Sequence, residues 1–175
     1  MFSLISNRGF AIVGRLAAVV GLSVGLATYV AAQDAKSVDD MVRQAQTLLS
    51  KGQPKDAISL LRKAIDTAPT RAELYMLRSR ALDQTGKYDA AIDDATKYIE
   101  LAPTDPFGYL NRARVYMSME KEESALHDAN KAIELAPKEP DGYYRRSDIY
   151  YDMGRDGDAK ADEARADELE KQGRS

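Results

Sequence analysis

From Val38 onward, apolar residues recur three and four positions apart, in stretches separated by short polar breaks. Between Ala72 and Thr85 they fall at Leu74, Tyr75 and Leu82; Gly86 supplies a break; between Tyr88 and Leu101 they fall at Ala91, Ile92, Ala95 and Ile99. Such spacing places one apolar stripe on each of two consecutive helices. All six prolines stand at junctions between these stretches and none inside one. Asp105-Pro106 offers a capping carboxylate followed by proline at the first helical position, and Gln53-Pro54 opens another helix in a similar way.

The pattern returns every 34 residues. Pro69, Pro103 and Pro137 each end an Ala-Pro pair, and the same step aligns Met41, Tyr75, Tyr109 and Tyr143. It also aligns Ala45, Ser79, Ala113 and Ser147, then Leu48, Leu82, Tyr116 and Tyr150, and then Ala57, Ala91, Ala125 and Ala159. Four units follow, 38–71, 72–105, 106–139 and 140–173, each read as two antiparallel helices. Gly52, Gly86 and Gly154 occupy the turn inside a unit, and Glu120 takes that place in the third.

The period and its columns resemble the tetratricopeptide repeat (TPR) family. The chain departs from the family pattern in three ways: Tyr or Met stands where Trp is usual, Ala or Ser replaces the packing Gly, and Arg78, Arg112 and Arg146 replace Leu. The resemblance implies an all-α fold, an α-solenoid of about four helix-turn-helix repeats wound into a right-handed superhelix.

The arginine column has a matching acidic one. Asp94, Asp128 and Asp162 stand sixteen residues after Arg78, Arg112 and Arg146, and the first unit carries Gln44 and Leu60, lacking both charges together. Their joint absence points to an ion pair inside each hairpin, bidentate where geometry permits; presentation of the arginines to a ligand is the other reading. Ile58, Ile92 and Leu126, then Ile65, Ile99 and Ile133, form apolar columns for a following unit to cover. In the fourth unit Lys160 and Asp167 hold those places, as a polar C-terminal cap would require.

Residues 1–32 contain no acidic side chain, carry only Arg8 and Arg15, and run into the apolar stretch Leu16–Thr28 before Val30-Ala31-Ala32. A charged start, an apolar run shorter than the ~20 residues a membrane helix needs and a small-residue site describe a secretory signal peptide cut after Ala32. Residues 33–37 then form a short linker. The chain is expected to be exported, periplasmic or secreted; the alternatives are an uncleaved membrane anchor over 11–32 and a mitochondrial presequence. Membrane contact is expected only where that segment stays uncleaved.

Composition removes several chemistries. Without Cys and with one His, thiolate nucleophiles, disulfides and His-rich metal clusters are excluded. Twenty-eight acidic against 25 basic residues, net charge −3, argue against sequence-independent nucleic-acid binding. His127 reads as a solvated surface residue, and Asp39-Asp40 and Glu122-Glu123 as helix-start charges. No phosphate loop or zinc-protease motif appears, so neither catalysis nor a cofactor or metal is expected.

What remains is binding. The resemblance implies a concave groove lined by the first helices, holding a partner peptide or helix. Candidate contacts are Val42, Gln46, Met76, Arg80, Leu110, Asn111, Arg114, Met117, Tyr144, Arg145 and Tyr151. Val42, Met76, Leu110 and Tyr144 make an apolar stripe that either meets ligand or packs the first helices together. Some chaperone-linked family members clamp a terminal carboxylate; Arg80, Asn111 and Arg145 fall near that pattern, while Met76 and Asp141 stand where two lysines belong. The function expected is a non-catalytic interaction scaffold, the alternative a self-associating structural or assembly factor at the cell envelope, with the oligomeric state left open.

Overall fold

The computed structural model describes residues 37–173, so the expected signal segment and most of the linker lie outside the described residues. The described residues fall in two units that divide after Asp40; those of the first, residues 37–40, are helical. Among the described residues the second holds eight helices and no strand. They are α1 (residues 41–50), α2 (Pro54–Thr67), α3 (Ala72–Asp83), α4 (Tyr88–Leu101), α5 (Pro106–Ser118), α6 (Glu122–Leu135), α7 (Pro140–Asp152) and α8 (Asp156–Gly173). The architecture is an all-α solenoid of helix hairpins.

Small residues let the two helices of a hairpin approach closely. Ala57, Ala91, Ala125 and Ala159 are fully buried, as are Ala45, Ser79 and Ala113 opposite them, with Ser147 nearly so. Ser79 Oγ donates to the carbonyl of Ala91 at 2.8 Å, a direct bond between α3 and α4 that a larger side chain would prevent. Around these columns the larger side chains close the core: Leu61, Leu74, Val115 and Ile149 are fully buried, each contributing roughly 2 kcal/mol of apolar transfer. The intra-hairpin turns share one backbone geometry. Gly52, Gly86 and Gly154 adopt φ of 69°, 73° and 71°, and Glu120 is forced into the same left-handed region at φ 55°. The bond from Lys121 N–H to Tyr116 O, 2.9 Å, matches that from Lys87 N–H to Leu82 O, 3.0 Å, so the non-glycine turn keeps the shape and bears the strain.

Each successive pair of hairpins fits by exchanging bulk. A Cβ on Gly108 would lie 2.6 Å from Tyr98 Cδ1 and 2.9 Å from Ile99 Cγ1, and one on Gly142 would lie 2.7 Å from Ile133 Cγ1. The isoleucine column is thus seated against the next hairpin's first helix. On α8, Lys160 and Asp167 are exposed instead, leaving the polar end face that terminates the stack.

Ion pairs repeat along the array. Arg78, Arg112 and Arg146 hold both oxygens of Asp94, Asp128 and Asp162 at 2.7–2.9 Å. Each guanidinium also lies 5.8–6.0 Å from the ring centroid of Tyr75, Tyr109 or Tyr143. Those tyrosine hydroxyls donate to the carbonyls of Pro69, Pro103 and Pro137. In the last two units the arginine also donates to the preceding hairpin, to Thr96 or Asn130. The carboxylate raises each arginine's pKa, mainly through the hydrogen bond. The arginine column is therefore part of the framework.

Candidate partner-binding groove

Helix α3 touches α5 and α5 touches α7, whereas no two of α2, α4, α6 and α8 meet. The first helices thus form the tight inner row and the second helices splay outside it, so α3, α5 and α7 floor a concave surface. Across it opens a cavity of about 340 Å³. Met76, Leu110 and Tyr144, one from each helix, form its apolar centre, and Arg80, Arg114 and Arg145 stand over it.

Beneath the arginines lies a buried polar chain. Asn111 Nδ2 donates to Ser79 Oγ at 2.8 Å, and its Oδ1 accepts from Arg114 at 3.0 Å. Arg114 also donates to Asp83, and Arg145 to Asp148 at 3.1 Å. Arg114 is held below its ordinary pKa first by burial and further by the like charges of Arg80 and Arg145, against the pull of Asp83. Arg80 is exposed and makes no ion pair among the described residues, and the Arg145 Nε is buried without an acceptor. The groove thus keeps cationic hydrogen-bonding capacity that its own carboxylates do not fill.

Seven of the eleven residues predicted from sequence meet here: Met76, Arg80, Leu110, Asn111, Arg114, Tyr144 and Arg145. The other four lie elsewhere. Val42 is 5% exposed and Gln46 is exposed, and neither lines the cavity. Met117 packs on the cluster of Ala113, Ala125, Ala129 and Ile149, an apolar side chain drawn into the core rather than left in the groove. Tyr151 donates to Glu163 of α8 at 2.9 Å. Asn111 lines the groove and is 8% exposed; it donates to Ser79 and accepts from Arg114, which it helps to orient.

Sequence reasoning missed a second feature beside the groove. A niche of about 60 Å³ shares Phe107, Leu110 and Asp141 with the larger cavity and is backed by Ala132, Ala136 and Gly142. Its origin is a failure of the bulk exchange. At the preceding junction Tyr98 packs close to Gly108; one repeat later Ala132 stands in the tyrosine's place, so that only Ile133 packs close to Gly142 and the niche lined by Ala132 is left open beside them. Phe107, at the niche mouth, is 53% exposed. The signal was present in the columns Ala64, Tyr98, Ala132 and Leu74, Gly108, Gly142.

Outside the groove, His127 has a 79% exposed side chain whose Nδ1 lies 3.5 Å from Asp128. Among the described residues no group of three or more His, Asp or Glu could hold a metal ion, and no helix is long and apolar enough to cross a membrane.

Two tetratricopeptide repeat models match residues 42–106 and 108–139. The chain belongs to the tetratricopeptide repeat family. A crystal structure of MamA is 26% identical with a TM-score of 0.67, over 78% of this chain and 80% of that one. The thermophilic TPR protein TTC0263 of Thermus thermophilus is 19% identical with a TM-score of 0.70, over 77% and 75%. A MamA fragment from Desulfovibrio magneticus RS-1 is 18% identical with a TM-score of 0.67, over 79% and 78%; these last two show likeness of fold alone. No curated protein matches the sequence. TPR arrays generally serve protein–protein interaction without catalysis, and the repeat models end before α7, whose pairing with α8 completes a fourth hairpin.

Proposed function

We propose that this TPR array is a non-catalytic scaffold that holds a segment of a partner protein, a peptide or a helix, across α3, α5 and α7. The observation that supports this reading is the cavity itself. Three successive hairpins each give it one apolar side chain at the same register place, Met76, Leu110 and Tyr144, and rim it with arginines. Such a surface combines adaptable apolar contact with directional hydrogen-bond donors and lacks a group placed to break bonds. Affinity capture from native extract, run in parallel with the wild-type chain and a Leu110→Ala/Tyr144→Ala variant, tests it. A protein retained by the wild type and lost from the variant supports groove binding; equal retention by both assigns the contact to another surface.

The reading includes export, supported by the acid-free N-terminus and the small residues at Val30-Ala31-Ala32. N-terminal sequencing of the protein from its native host should begin at Gln33; a start at Met1 would leave the segment as an anchor or place the chain inside the cell.

A further inference from the structure

The niche and the arginines lie in one continuous surface, and together they specify an occupant more narrowly than a groove alone. The niche is lined by Pro106, Phe107, Leu110, Ala132, Ala136 and Gly142, together with Glu139 and Asp141. At about 60 Å³ it holds several times the ~10–15 Å³ one water requires, and six of its eight lining residues are apolar or glycine. An aliphatic side chain suits such a space, and the exposed ring of Phe107 stands ready to cover its stem.

The adjoining charge has a sign. Three guanidinium groups converge on the groove of a chain whose net charge is −3. Of the carboxylates present, Asp83 is bound to Arg114 and Asp148 to Arg145, Asp141 sits in the first turn of α7, where the helix start stabilises it, and exposed Glu139 lines the niche but not the larger cavity that holds the arginines. Arg80 is exposed without an acceptor among the described residues, and the Arg145 Nε, itself buried, has none either.

Building on the groove reading, we propose that the occupant is an acidic peptide segment that seats an aliphatic side chain against Ala132 and Gly142 and lays an internal Asp or Glu across Arg80 and Arg145. A chain-terminal carboxylate is the less suitable ligand. Asn111, which could otherwise receive it, is buried and already donates to Ser79 and accepts from Arg114, leaving at most one amide N–H for a ligand.

The test uses the full-length chain and three short synthetic peptides. Two are acetylated and amidated, one alternating Leu with Glu and the other Leu with Gln; the third is the Leu–Gln peptide with a free C-terminal carboxylate. The Leu–Glu peptide should bind about tenfold tighter than its amidated Leu–Gln counterpart at low salt, with the ratio shrinking as salt rises. Arg80→Gln should bring that ratio close to one; Arg80 makes no ion pair among the described residues, so this variant should fold normally. A peptide methyl should show nuclear Overhauser contacts to Ala132 in the wild-type chain, and Ala132→Leu, which fills the niche, should weaken binding about tenfold. The methyl contact decides the niche assignment even where Ala132→Leu fails to fold.

Equal affinity for the two amidated peptides, with Leu110 and Tyr144 resonances shifting on binding, would overturn the acidic preference and leave the groove reading standing. A free-carboxylate Leu–Gln peptide matching the Leu–Glu peptide would assign recognition to the chain terminus and overturn the internal-acid proposal. Absence of methyl contacts to Ala132 while peptides bind would remove the niche from the site. If no peptide perturbs the groove resonances, the groove reading and this inference fall together.

Discussion

Arg112 holds Asp128 by two hydrogen bonds, 2.7 and 2.9 Å long, that tie the two helices of the third hairpin together. The Asp128 side chain is 1% exposed, so the guanidinium is its main compensation for leaving water. Arg112→Ala strands a buried carboxylate and should cost about 3 kcal/mol in urea unfolding. Arg112→Lys should recover part of this, since one ammonium cannot reproduce the two-pronged bond and the contact to Thr96. An unchanged unfolding midpoint for Arg112→Ala would remove the pair from the framework.

That pairing was legible because its two columns appear together in three units and vanish together from the first. The hairpins were legible for the same reason: repetition multiplies a weak helical signal, and Gly86 and Pro103 mark where each helix stops. The niche was not read, because it depends on which residue of one hairpin faces which of the next. Tyr98 against Gly108, and Ala132 in the tyrosine's place one repeat later beside Gly142, are ordinary in isolation and informative only when the two junctions are compared. Asn111 shows a related difficulty. Its place suggested ligand contact, but Ser79, one hairpin earlier, and Arg114, one turn later, each take a hydrogen bond with its amide, which ties it into the framework.

The third turn is strained by its side chain. Glu120 occupies φ 55°, where glycine serves the other three described turns at φ 69–73°. Glu120→Gly relieves a conformational cost of about 1 kcal/mol, and the looser unfolded chain returns part of it. The expected net is a gain of up to ~1 kcal/mol in thermal or urea unfolding. A loss of stability would mean that the Glu120 side chain makes a compensating interaction.

Gly108 should tolerate no Cβ. Alanine there would meet Tyr98 and Ile99 at 2.6 and 2.9 Å, forcing α5 away from α4. Gly108→Ala is expected to cost about 1–3 kcal/mol, and pairing it with Tyr98→Ala should recover less than the full amount because that change opens a cavity. A Gly108→Ala protein with unaltered melting would show that the two helices are less closely fitted than the distances require.

Leu110 and Tyr144 are half-buried in the groove rather than sealed in the core. Leu110→Ala/Tyr144→Ala should therefore abolish retention of a partner while keeping helicity, with melting lowered only modestly by the lost Tyr144–Asp167 hydrogen bond. Loss of the fold would reassign the stripe to packing between first helices.

Tyr144 also donates its hydroxyl to Asp167 of α8 at 2.8 Å, joining the groove to the terminal cap. The hydrogen bond, helped by partial desolvation and the charge of Asp167, pushes the phenol up to about 12 from its ordinary 10.0. A raised folded-state value means the bond favours the folded chain fully below about pH 10 and ceases to do so as pH rises through about 12. The difference in unfolding free energy between the wild-type chain and Tyr144→Phe should stay constant from neutral pH to about 10 and shrink toward zero as pH approaches 12. Ultraviolet titration should show one late-ionising phenol fewer in Tyr144→Phe. If the free-energy difference holds steady across that alkaline range, or the variant's phenolate titration overlays the wild type's apart from a step near 10, the hydroxyl is not bound to Asp167 in solution and the cap is held by Arg146 and Asp162 without it.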